Sequence, residues 1–410
     1  MVIPRGYKQT EVGVIPEDWY TDKLYGLVDV NSGESPSKFN ITNGDTPYFK
    51  VEQLNNCSKY LSKTPYKVNS ARKIIRDSSI FPKRGASIIL NKVRILKYDS
   101  YFDTNLMSLT PKSDALTSEY LYYFLIHVEL WRIADTTSIP QINNKHIKEV
   151  IISLPPKAEQ TAIANVLTHI DELIASLQKL LEKKRAVKQG AMQELLTGKK
   201  RLPGFKGEWV LLNLSRNSLL KARIGWQGLT TAEYLKSGYS YLVTGTDFLN
   251  GSIAWNTCHY VDKYRYEQDK NIQIINDDIL ITKDGTIGKI AIVKNLTKKA
   301  TLNSGVFVVR PLDENYSRRF VYYILLSQIF RDFLDVLSAG STIIHLYQKD
   351  LLKFEFLIPP TLEEQSAIAD ILTNMDDEIE QLEQKLHKYE NIKIGMMQNL
   401  LTGKIRLPTT

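Results

Sequence analysis

Cysteine is nearly missing from this chain. Its 410 residues hold two, Cys57 and Cys258, too few for a disulfide framework or a cysteine-built zinc site. Long hydrophobic runs are missing too. No stretch approaches the roughly 18 consecutive apolar residues of a membrane-spanning helix, and the start MVIPRGYKQTEVG has no apolar leader core. Together these absences predict a cytoplasmic protein in a reducing compartment. Nucleotide-phosphate loops need two glycines with four residues between them, followed by Lys and Ser or Thr, a spacing that GTIGKI and LTGKK lack. The HExxH and GxSxG signatures are equally missing. The six histidines are scattered; His127 and His169 fall in helical patterns and read as packing or surface residues. Asp277 and Asp278 form an acidic pair not far from Lys283, and a turn before the strand ILIT explains them better than a nuclease centre. No catalytic constellation emerges.

What the chain does have is a mild positive excess, net +8 with pI near 9.0. Residues 1–155 carry 20 basic and 16 acidic side chains, and residues 206–358 carry 19 and 15. Each segment is therefore +4, which fits two similar modules that meet a polyanion. The remaining segments cancel: nine basic against five acidic over 156–205, five against nine over 359–410.

Those cancelling segments are copies of one another. Laid from Glu159 on Glu364, 24 of 45 positions are identical, where unrelated chains of ordinary composition would share about 3. Ile163, Leu167, Ile170, Ile174, Leu177 and Leu181 step by 4, 3, 4, 3, 4, and Ile368, Leu372, Met375, Ile379, Leu382 and Leu386 repeat the steps. That is the seam of a coiled coil. Heptads alone make helices look alike, but they do not explain shared Gln193/Gln398, Thr197/Thr402, Gly198/Gly403 and Arg201/Arg406. A duplication does. A Pro pair opens each helix and a Gly closes it. The first helix is predicted over Lys157–Leu196. Opposite net charge favours pairing of the two helices with each other, and a two-fold repeat makes them antiparallel. Gly190 and Gly395 sit inside the helical pattern at a cost of about 1 kcal/mol each, suggesting close approach of a partner helix, or a bend.

The segments between the helices share an order of parts. A polar Gly-containing stretch is followed by a short strand, PYFKVEQLNN against YLVTGTDFLNG. An apolar strand comes next, RGASIILNKVRILKY against NDDILITKDGTIGKIAIV, then a strand stopped by Pro111 or Pro311. An aromatic helix follows, SEYLYYFLIHVELWRI against RRFVYYILLSQIFRDFL, and last a polar loop and final strand. The fold class is α+β: two similar α/β domains and two long antiparallel helices forming a coiled coil, an internal pseudo-two-fold repeat. Boundaries fall at 1–155, 156–203, 204–358 and 359–410. The segment RLPGFKGEWVLLNL after the first helix repeats the Pro, acid, Trp order of IPEDW near the N-terminus. The N-terminal arm should therefore continue the C-terminal helix, with Arg5 near Pro408.

Two divergent domains, each followed by a helix opening PPxxEQxxIAxxL or close to it and ending LLTGKxRLP, resemble the specificity subunit of a type I restriction–modification system. The likeness covers essentially the whole chain. It implies two target recognition domains, each reading half of a split asymmetric DNA site, spaced by helices on which modification subunits dock. It implies no catalysis in this chain and no cofactor of its own. Two methyltransferase subunits would bring S-adenosylmethionine to adenine, and restriction and translocase subunits would join for cleavage. LPPK and IPPT agree, lacking the Asn or Asp and the aromatic that flank Pro-Pro in an adenine methyltransferase. Chosen by loop position and chemistry, the expected DNA contacts are Lys50, Gln53, Lys92, Arg94, Gln141, Asn143, Asn144 and Lys145 in the first domain. In the second they are Trp226, Gln227, Thr244, Thr246, Lys283, Thr286, Lys289, His345, Tyr347 and Gln348. Rival readings are a self-contained DNA methyltransferase or nuclease, and a coiled-coil scaffold that never meets DNA.

Overall fold

The computed structural model describes residues 3–35, 37, 44–55, 58–69, 73–136, 139–338 and 345–408, with the Trp226 side chain outside that description. The chain forms two compact units, residues 1–178 with 384–410, and residues 179–383. Each unit takes part of each long helix, which run over Lys157–Leu195 and Leu362–Leu400.

In the first unit a five-stranded sheet has the order Val28–Ser32, Leu106–Pro111, Ser79–Pro82, Arg94–Leu96, Tyr60–Leu61. Its second strand, Leu106–Pro111, pairs antiparallel on both sides. Strand side chains alternate between faces, and the two faces meet different cores. Phe81, Met107 and Leu109 pack with Tyr120, Leu121 and Phe124 of the helix Ser118–Val128. Ile80 and Leu106 pack instead with Tyr48, Phe49 and Phe102 of a second, three-stranded sheet.

The second unit is built on the same plan. Its four-stranded sheet runs Ser218–Lys221, Val306–Pro311, Ile279–Thr282, Ile290–Ile292. Ile279, Ile281, Phe307 and Val309 face the helix Arg318–Leu326, while Leu280, Val306 and Val308 face the second sheet. Asp77 and Asp277 both turn at φ 66°, and Gly85 and Gly285 at 82° and 69°. The plan repeats at a spacing of 200 residues.

Two elements differ from expectation. Ala86–Leu90 is not strand: Ala86–Ile88 is a 3-10 turn, bracketed by the left-handed Gly85 and Asn91, and Ile89 and Leu90 stand exposed. The aromatic helices are broken as well. Glu129 ends the first at φ 56°. At Ser327 the hydroxyl donates to the Ile324 carbonyl and accepts from the Ile329 N–H, so a separate helix, Gln328–Ser338, starts in a new direction.

The seam positions are all buried or half-buried. Within the first unit, Ile163, Ala164 and Leu167 share a core with Met397, Leu400 and Leu401, so the start of one helix lies on the end of the other. Asp171 there binds Lys393 at 2.6 Å. Within the second, Lys184 binds Glu378 at 2.8 Å, Arg185 binds Glu383 at 2.5 Å, and Lys188 binds Asp376. Antiparallel pairing and opposite charge are as expected. Tyr123 and Tyr323 donate to Asp171 and Asp376, which ties each aromatic helix to the coil.

The shared residues outside the heptads have a purpose: they build a clasp. Glu159 is buried, accepts the Trp19 indole N–H at 3.0 Å and is gripped by Arg406 at 2.6 and 2.7 Å. Arg406 also holds Asp18 through both guanidinium NH groups, each at 2.8 Å, and this keeps the Asp18 carboxyl below its ordinary value. Tyr7 donates to the Gly403 carbonyl at 3.1 Å. The N-terminal arm thus continues the C-terminal helix. In the second unit Glu364 and Arg201 repeat the grip at 2.9 and 2.7 Å. Gln160 and Gln365 accept the first N–H groups at the start of the aromatic helices, from Thr117 and Ser317.

Gly198 and Gly403 close the two helices at φ 69° and 70°. A side chain there costs about 1–2 kcal/mol. A Cβ on Gly198 would meet Trp209 at 3.4 Å, whereas on Gly403 it would stand 2.4 Å from Pro16. Gly403→Ala should therefore destabilise more than Gly198→Ala, by a further 1–3 kcal/mol or so. Chemical denaturation of the two variants side by side checks the order; equal losses refute it.

Candidate nucleic-acid interface

In each unit one central strand runs out into a polar turn that meets the last loop before the final strand. In the first unit Ser79–Pro82 leads into Lys83, Arg84 and Gly85. Arg84 forms an antiparallel bridge with Gln141, and Ile142 N–H donates to the Lys83 carbonyl at 2.8 Å. Asn143 then caps the one-turn helix Asn144–Lys148 with His146 completing a capping box, and Asn144 and Lys145 are exposed. In the second unit Ile279–Thr282 leads into Lys283, Asp284 and Gly285. Asp284 bridges His345, and Leu346 N–H donates to the Lys283 carbonyl at 2.9 Å. Tyr347 caps Gln348–Leu351 with Asp350. Thr286 and Lys289 lie on the exposed turn between the two strands, where Lys289 N–H and the Thr286 carbonyl both bond the Thr282 hydroxyl.

A second loop borders each cluster. In the first unit the Lys50 N–H donates to the Gln53 side chain at 2.8 Å, and the Lys50 ammonium lies 3.7 Å from the Tyr66 ring centre. Lys92 binds Asn55. In the second unit the Thr244 N–H donates to Asp247 at 2.8 Å, and Thr246 is exposed beside it. A Cβ on Gly245 would stand 2.8 Å from Thr282, which places this turn against the strand end.

Not every expected contact is available to a ligand. The Arg94 guanidinium donates to the Val93 and Leu54 carbonyls at 2.6 and 2.8 Å. Thr244 and Gln227 are buried, and the Trp226 side chain lies outside the described residues. Two cations were missed. Arg84 is exposed, with no ion-pair partner among the described residues. Half-buried Lys83 is pushed below its ordinary value by burial and by the neighbouring Arg84 charge. The signal was present in PKRGA against TKDGT, a Lys and a Gly 200 residues apart that the alignment of strands should have caught.

No group of His, Cys, Asp and Glu able to hold a metal occurs among the described residues, nor does any helix there suit a membrane span. Two like-built α/β units, each with a polar loop edge at a strand end and its own Arg–Glu helical clasp, define an internally duplicated protein. The pattern of the type I restriction modification DNA specificity domain matches residues 16–184 and again 229–391, and the chain belongs to that family. It is a DNA specificity subunit rather than an enzyme. The MjaVIII type I restriction enzyme specificity subunit of Methanocaldococcus jannaschii is 26% identical, covering 96% of this chain and 94% of its own length. A second chain of that organism, provisionally named the MjaX specificity subunit, is 28% identical over 98% and 97%. Among solved structures, the S subunit of a type I system from M. genitalium has the same fold, with TM-score 0.60 at 17% identity over 96% and 97% of the two chains.

Proposed function

We propose that the two edges read the two halves of a split, asymmetric DNA site and that the chain presents that site to two modification subunits for adenine methylation. One observation supports this above the others: the same strand-end seat is built twice on unlike side chains, as two readers of different half-sites require. Phosphate contacts from the lysines would give affinity, and base-edge contacts from Arg, Asn, Gln and His the sequence choice. The chain supplies position, and S-adenosylmethionine belongs to the partner. Each unit also has a groove at the matching place on its helices. One, of about 840 Å³, is lined by Met192, Gln193, Leu326 and Ile329; the other, of about 540 Å³, by Met397, Gln398, Ile126 and Val128. Two like grooves suit two copies of one partner. Where the system cuts DNA, restriction and translocase subunits add to that assembly.

Methylation sequencing of a cell carrying this chain with its partner methyltransferase tests the proposal. The expected result is a two-part motif modified on both strands; a continuous motif, or none, overturns it. A further expectation concerns the helices as a ruler. Deleting one heptad from both shortens each by about 10 Å, near three base pairs of DNA at about 34 Å per turn. The unread gap should change while both half-sequences stay the same. An unchanged gap refutes the ruler.

A further inference from the structure

Residues 84 and 284 occupy one and the same seat. The preceding N–H groups, of Lys83 and Lys283, donate to the Asn105 and Gly305 carbonyls, both at 2.8 Å. Both residues bridge the last loop, at Gln141 and at His345, and a left-handed glycine follows each. The backbone is shared, yet the occupants have opposite charge.

In the first unit the seat holds Arg84 beside Lys83, two adjacent cations with buried Asp103 as the nearby acid. Such a pair is relieved by an acceptor-rich ligand. Guanine offers two acceptors, O6 and N7, on one major-groove edge at the spacing of an arginine fork. In the second unit the seat holds Asp284, whose Oδ1 lies 2.6 Å from His345 Nδ1, with Lys283 Nζ 4.0 Å from its other oxygen. A carboxylate on a DNA-facing edge is repelled by phosphates and gains only from a base amino group. Because the carboxylate only accepts, His345 Nδ1 carries the hydrogen of this contact, and the imidazole holds the carboxylate in place. A carboxylate that only accepts disfavours adenine, whose N6 amino group neighbours the N7 acceptor. Cytosine has its N4 donor beside the non-polar C5–H on its own ring, with the paired guanine O6 only on the far side, so a carboxylate can approach N4 from the C5 side.

We propose that this seat is a specificity determinant in each half-site: Arg84 selects a guanine, and Asp284 with His345 selects a cytosine through its N4 amino group. The assignment rests on the reading of a split DNA site given above.

The test begins with the methylated motif of the wild-type complex, which should contain a G·C pair in each half. Arg84→Gln should relax one position of one half by about tenfold or more, leave the other half intact, and be restored by Arg84→Lys. Asp284→Asn should relax one position of the other half alone. Binding of synthetic sites fixes the strand. 7-Deazaguanine, which lacks N7, should weaken binding only at the Arg84 position. A 2-pyrimidinone base, which lacks the amino group, should weaken it only at the Asp284 position. Variants that leave the motif unchanged, relax both halves together, or abolish methylation without rescue by lysine overturn the seat assignment, as does a half-site without a G·C pair. Absence of any split motif overturns the underlying reading, and the seats with it.

Discussion

Replacing Arg406 by methionine is expected to lower the stability of the first unit by about 3 kcal/mol, the low end of the cost of stranding a buried charge. The low end applies because the Arg406 side chain is 38% exposed, although the Glu159 side chain is only 1% exposed. Without the guanidinium, Glu159 keeps the Trp19 N–H and must otherwise take up a proton in a dry site. Melting of that unit should move down by roughly 5–10 °C. The double variant Arg406→Met with Glu159→Gln should recover part of the loss, since no unpaired charge remains. Acid should mimic the mutation in part. Asp18 is held below its ordinary 3.8, so its contribution is present above that pH and disappears as the pH falls through the lower folded-state value. Arg201→Met should do the same to the second unit, where Glu364 is fully buried. Unchanged melting in both single variants would show that the clasp holds nothing together.

The clasp also marks where the sequence was readable and where it was not. The duplicated helices were plain, because heptad steps and the Gly closures follow directly from helical geometry. Strand and helix order in the two units could be read from period-2 and period-3.6 patterns, down to the stops at Pro111 and Pro311. Glu159, Gln160 and Arg406 were visible as repeated letters, but their partners Asp18, Trp19 and Thr117 lie far off in sequence, so no local rule could assign them a task. The breaks at Glu129 and Ser327 were hidden for a related reason. A left-handed Glu and a serine that bonds back to its own helix are settled by tertiary packing, against local propensity. Loop chemistry was least legible. Gln53 and Arg94 look like base readers by type, but one caps a turn and the other bonds two carbonyls. Arg84 and Asp284 drew no notice because their shared seat exists only once the strands are in register.

The largest functional loss is expected from Gly190→Leu and Gly395→Leu. Both glycines sit inside long helices, yet a Cβ on either meets no atom within 4 Å among the described residues. Close approach of a helix from this chain is therefore not what keeps them. Alanine at either site should be neutral or stabilise the isolated chain by up to about 1 kcal/mol. Each glycine instead neighbours a groove, Gly190 beside Gln189 and Met192, Gly395 beside Ile394 and Met397. If a modification subunit lies in each groove, a leucine forces several methylenes into that contact at a cost of about 1–3 kcal/mol, which is about tenfold or more in affinity. One substitution should leave one partner copy tightly bound and loosen the other; the pair together should loosen both. Titration of the partner methyltransferase onto each variant, followed by mass measurement of the complex, reads this directly. Melting of the variants alone, at or above the wild-type temperature, separates lost assembly from lost folding. Full occupancy by two partners on the doubly substituted chain would remove the grooves from the assembly and leave the repeated glycines without a purpose in it.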